Sequence, residues 1–151
     1  MQRDDSSRSL SGISSAQPTA VVRNLHEPIL DLSKLSDIET VSDDPVFLDE
    51  LIVEFMTEGR RLMGVVEKGI AARDWVSVSS ALHALRGSAL SIGATALKVI
   101  CGRIEKLPPN DIYVRRKKIQ EELAQCFSCL CLELEVYRKL RIKKFGYPNF
   151  H

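Results

Sequence analysis

Apolar residues recur at three- and four-residue spacing along four stretches of this chain, and no segment alternates apolar and polar residues with period two. Spacing of that kind gives each stretch one apolar stripe on a helix, and several stripes leave water together only by facing one another. The first stretch, to about Ile70, places Leu48, Ile52, Phe55, Leu62 and Val66 on one face. The second carries Val78, Leu82, Leu85, Ala89 and Ile92 at spacings of 4, 3, 4 and 3. A shorter third has Leu97, Ile100, Ile104 and Leu107, and a last one, to about Lys144, has Ile119, Leu123, Phe127, Leu130, Leu134 and Tyr137. The punctuation agrees. Asp43-Asp44-Pro45 predicts a helix start with Pro at the first helical position, Asp74 a cap before Trp75, and Gly93 a left-handed helix end. Pro108-Pro109-Asn110 ends the third helix and Asp111 caps the last, while Leu30–Leu35 forms a short leading helix across the rest. The fold class expected is all-α: an antiparallel four-helix bundle with a short N-terminal helix.

Residues 1–29 contrast with this pattern. Ser6, Ser7, Ser9, Ser11, Ser14, Ser15, Gly12 and Pro18 carry no apolar period, and a segment of that composition buries too little to offset its ordering entropy. It reads as a disordered linker or arm, suited to a piece of a larger protein; residues 30–145 form the domain and 146–151 a tail. No run approaches the roughly 18 apolar residues of a membrane span, so no membrane contact is expected of this segment. The first thirty residues lack the apolar core of a secretory signal. The four cysteines accordingly read as reduced thiols in a cytoplasmic setting.

Twenty-one Lys and Arg against twenty Asp and Glu leave a formal charge of +1, which argues against a bulk electrostatic grip on nucleic acid. Arg115-Arg116-Lys117-Lys118 has no interleaved aromatics and reads as a solvated face. The charge is unevenly placed all the same. Residues 35–59 hold eight acids and no Lys or Arg; residues 136–151 hold five bases and no acid. Solvated faces of opposite sign on antiparallel neighbours are expected, with a partner-docking patch as the alternative. Cys126-x-x-Cys129-x-Cys131 resembles half a zinc site, but it lies in a helical seam without a second ligand pair, so small hydrophobic thiols are expected and no metal.

One face carries chemistry. On the second long helix, His83 points roughly 140° away from the centre of the apolar stripe. Arg86 and Gly87 share its face one turn on, and Leu90 follows. A neutral imidazole is a nucleophile, and an arginine beside it neutralises the oxygens of a phosphoryl group it carries. Gly87 costs a mid-helix position roughly 1 kcal/mol relative to Ala, and its missing side chain opens access to the ring. Ser79, Ser80 and Ser88 keep the surroundings small and polar. Met56 and Met63 lie on the edge of the first long helix, where core flank is the default and an adaptable docking edge the alternative.

These residues resemble the histidine phosphotransfer (HPt) domains of multistep phosphorelays. Their hallmark, His-x-Leu-Lys-Gly-Ser on the second bundle helix, reads here His83-Ala84-Leu85-Arg86-Gly87-Ser88, with Arg where Lys is commoner. The likeness continues through Asp44-Pro45-Val46-Phe47-Leu48, Ser91-Ile92-Gly93-Ala94 and Cys101-Gly102-Arg103-Ile104-Glu105, covering about residues 31–140. It implies a phosphocarrier that takes a phosphoryl group from a receiver-domain aspartyl phosphate onto Nε2 of His83 and passes it to another receiver Asp. Glu105 then supports the histidine, and Ser79, Leu90, Met56 and Met63 lie toward the partner. The receiver brings Mg²⁺, so no bound cofactor is implied. Many members are C-terminal domains of bacterial hybrid sensor histidine kinases. No nucleotide-binding motif is present, so ATP-dependent kinase activity is not expected of the chain alone. A helical interaction module without phosphotransfer and a cysteine-based metal bundle are the competing classes.

Overall fold

The computed structural model describes residues 28–145. The expected tail, and the expected arm up to residue 27, lie outside the described residues. Among the described residues the structure is all-α: α1 (Leu32–Val41), α2 (Phe47–Ala72), α3 (Trp75–Ile92), α4 (Thr95–Glu105), α5 (Pro109–Val114) and α6 (Arg116–Phe145). Helix α2 packs on α3, α3 on α4, α4 on α6 and α6 back on α2, so these four close a bundle around one core.

The sequence stripes are the core. Every residue of the α2 and α3 stripes is buried, as are Leu97, Ile100 and Ile104 of α4 and Ile119 through Leu134 of the α6 seam. Leu107 and Tyr137 are half-buried at the margins. Asp74 caps α3, its carboxylate accepting from the Ser77 amide at 3.2 Å and the Ser77 hydroxyl at 2.7 Å. Gly93 ends α3 at φ 87°, and its carbonyl accepts from the Asp31 amide at 2.8 Å. A Cβ there would lie 2.8 Å from Cβ of Lys34, so this residue must be glycine both for its backbone and for the approach of α1.

Several expected boundaries shift. The first helix spans Leu32–Val41 rather than Leu30–Leu35, and Asp31 caps it by accepting from the Ser33 amide; α4 ends at Glu105, before Leu107. Helix α2 begins at Phe47 rather than Pro45; Asp44 accepts from the Val46 amide at 2.9 Å, and that local turn holds Pro45 outside the helix. Asp111 does not cap the last helix. It lies in the first turn of α5, which starts at Pro109, buries Ile112 and stops at Arg115. Tyr113 of α5 sits between two guanidiniums, Arg73 at 4.0 Å and Arg116 at 4.1 Å from its ring centre, which ties the end of α2 to the start of α6.

The separated charges do not all form solvated faces, and this corrects the expectation. Arg141 of α6 is 5% exposed and donates to Asp49 at 2.8 Å, Glu39 at 2.7 Å and the Pro45 carbonyl at 3.2 Å. Asp49 is 1% exposed and also lies 3.6 Å from Nε of Arg138, while the Tyr137 hydroxyl donates to Glu39. The acid-rich stretch and the basic C-terminal stretch thus meet inside the fold and join α1, α2 and α6. Charges so placed are stable only while paired. Asp49→Ala leaves Arg141 short of its buried partner and should destabilise the domain by roughly 3–5 kcal/mol in urea titrations.

Candidate functional site

The buried stripe of α3 decides where the site points. Leu82 and Leu85 are 1% and 0% exposed, so His83 between them is turned out of the core, with a side chain 74% exposed. Helix α4 runs alongside, and its last residue, Glu105, reaches back to the same spot with a side chain 18% exposed. Nε of Arg86 donates to Glu105 at 2.5 Å, and the Arg86 terminal nitrogen Nη2 lies 3.3 Å from Nδ1 of His83. Oε2 of Glu105 is 3.6 Å from the same Nδ1. The three residues form a compact triangle about Nδ1, and Nε2 has no hydrogen-bond partner among the described residues. The imidazole is therefore held by one nitrogen and presented by the other.

The ground around the ring is open. A Cβ built at Gly87 meets nothing within 4 Å, and Ser79, Ser80, Trp75 and Val76 line a shallow depression with His83 and Glu105. Val76 is 81% exposed and Leu90 59%, seven residues to either side of His83. Trp75 and Val76 are not among the sequence-derived site residues, although helical spacing from His83 puts Val76 on its face. The methionines fall elsewhere. Met56 is 5% exposed in the core, which removes it from any docking edge: it follows Ile52 by four residues and belongs to the same stripe. Met63 is half-buried in the groove between α2 and α6, diagonally across the bundle from α3 and α4. Neither joins His83, Arg86, Gly87 and Glu105.

A family model, the Hpt domain, matches residues 50–139. This chain is an Hpt domain. The match spans the four bundle helices almost completely and includes His83, Arg86, Gly87 and Glu105. Hpt domains serve histidine phosphotransfer in phosphorelays and interact with receiver domains there. No curated protein and no solved structure matches the chain significantly.

The cysteines of this Hpt domain lie along its core seam. Cys101 and Cys126 are buried, Cys129 and Cys131 half-buried, and burial pushes the thiols of Cys101 and Cys126 up to about 12. Among the described residues no group of three or more His, Cys, Asp or Glu is placed to hold a metal ion, and no helix is long and apolar enough to cross a membrane.

Two outcomes follow from the open face and the buried thiols. Gly87→Ala fills empty space on a helix and should raise stability by roughly 0.5–1 kcal/mol, read from the shift of the urea midpoint. The second concerns pH. Above the ordinary thiol value of about 8.5 the unfolded chain ionises Cys101 and Cys126 while the folded chain keeps their protons. The native state then binds more protons, so stability should fall as pH rises from about 9 toward 12. Cys101→Ala/Cys126→Ala, compared with the parent over that range, should show a shallower decline.

Proposed function

We propose that this domain is a phosphocarrier in a multistep phosphorelay, accepting a phosphoryl group on Nε2 of His83 from a receiver-domain aspartyl phosphate and delivering it to the Asp of another receiver. The observation that carries this reading is the state of the imidazole: outward, mid-helix, contacted at Nδ1 by Arg86 with Glu105 3.6 Å away, and without a hydrogen-bond partner at Nε2 among the described residues. A nucleophile so placed meets an incoming phosphorus without moving the backbone, and phosphoryl transfer depends mainly on such positioning and on charge stabilisation. Arg86 supplies the charge. Its side chain is 40% exposed, within reach of phosphoryl oxygens on the ring. Gly87 leaves the space that a receiver's active-site loops need, and Ser79 and Leu90 flank the ring as contact residues.

The reaction class fits a site with no enclosing pocket. The receiver brings Mg²⁺ and the leaving carboxylate, and this domain brings the nucleophile and one cation. Residence in the cytoplasm, as the C-terminal part of a hybrid sensor histidine kinase, is the setting we infer from the resemblance to that branch of the family.

The test charges a receiver domain with acetyl phosphate and Mg²⁺ and mixes it with this protein or with His83→Gln. The parent should acquire label that survives alkali and not acid, and the variant none. The two circular dichroism spectra should coincide, because His83 lies outside the core. Unlabelled parent protein with several receivers would leave a docking module without the chemistry.

A further inference from the structure

Nδ1 of His83 has two neighbours that demand opposite positions of the ring proton. Arg86 only donates, so its contact at 3.3 Å needs a lone pair on Nδ1 and puts the proton of the neutral ring on Nε2. Glu105 as a carboxylate only accepts, so closing its 3.6 Å approach needs a proton on Nδ1 and frees the lone pair of Nε2. In the structure Arg86 has the shorter contact, while its own Nε is anchored on the other oxygen of Glu105. The same ion pair therefore holds both competitors beside one nitrogen.

We infer that Arg86 is a positioning residue that keeps His83 in a resting tautomer, with Nε2 protonated and not nucleophilic, until phosphoryl oxygens draw the guanidinium off Nδ1. This deepens the phosphocarrier reading and rests on it. Once Arg86 turns to the phosphoryl group, Nδ1 takes a proton from water, Nε2 gives its proton to water, and Glu105 accepts the hydrogen bond from Nδ1. The Nε2 lone pair then forms the N–P bond, and the P–O bond to the receiver's aspartate breaks. That carboxylate leaves with the bonding pair, and Nδ1 keeps its proton against Glu105. The arrival of a phosphoryl group thus shifts the exposed histidine toward the form that attacks.

The test reads the tautomer directly, apart from phosphotransfer. The full chain is labelled with ¹⁵N-histidine, His83 is assigned by its loss in His83→Gln, and spectra are taken on the alkaline plateau where its ring ¹⁵N shifts no longer change with pH. The parent should show mainly the Nε2–H form. Arg86→Ala should raise the ratio of Nδ1–H to Nε2–H by roughly two- to tenfold, the worth of one hydrogen bond. Adding Glu105→Ala to that variant should take the rise away. A parent already mainly in the Nδ1–H form, or a ratio that Arg86→Ala leaves unmoved, overturns the inference. A ratio that moves as expected in a protein whose His83 takes no phosphoryl label supports the tautomer control and removes the phosphocarrier reading instead.

Discussion

The rotational setting of α3 is the constraint on which the site depends. Val78, Leu82, Leu85, Ala89 and Ile92 are at most 2% exposed, and a fully buried Leu or Ile is worth roughly 1.5–3 kcal/mol relative to exposure. Turning α3 by one residue would bring Leu82 toward water and His83 toward the core, losing that burial and enclosing an imidazole with no partner to receive it. Several kilocalories per mole thus stand behind the direction in which one side chain points. Helix α4 adds the second coordinate. It packs on α3 and ends at Glu105, so the carboxylate arrives beside His83 because two helices are in contact, not because a loop happens to reach. Sites carried on packed helices are held more closely than sites on loops.

Stability and chemistry occupy different ends of the charge inventory. Buried Asp49 and Arg141, with the partly buried Glu39 and Arg138, bind α1 and the start of α2 to the end of α6. In the ion pair of Arg86 and Glu105 the guanidinium is 40% exposed and the carboxylate partly buried. A buried pair is rigid because breaking it strands a charge, whereas a partly hydrated one exchanges partners at little cost. On the proposed reading, a phosphocarrier needs the first kind to keep its shape and the second kind beside its nucleophile.

What the sequence revealed, and what it hid, divides along the same physical line. Periodicity is a property of one helix, so the α3 stripe, the outward His83 and the open Gly87 were all legible from spacing alone. Caps are nearly as local, and Asp74 and Gly93 sit where their chemistry requires. The proline-rich connection reads as a stop and a start, yet Pro109 begins a separate turn of helix because Ile112 finds a place to bury. Contacts between helices distant in sequence were out of reach. Nothing in the spacing of Arg141 shows that three partners from residues 39, 45 and 49 will enclose it, or that Arg86 will spend its Nε on Glu105. Met56 is a different case, since its four-residue step from Ile52 supports core flank, the default reading, over the docking edge.

The arginine at position 86, where the family more often has lysine, is explained by the geometry. The triangle at His83 uses two separate nitrogens of one side chain: Nε on Glu105 at 2.5 Å and Nη2 near Nδ1 at 3.3 Å. A planar guanidinium presents both at a fixed angle. A lysine offers a single ammonium, able to pair with the carboxylate or to approach the ring, with no rigid link between the two. It keeps the charge that a phosphoryl group needs and loses the coupling between Glu105 and Nδ1. On the proposed reading, the departure from the commoner residue conserves the electrostatics of a phosphocarrier and adds control over which imidazole nitrogen holds the proton.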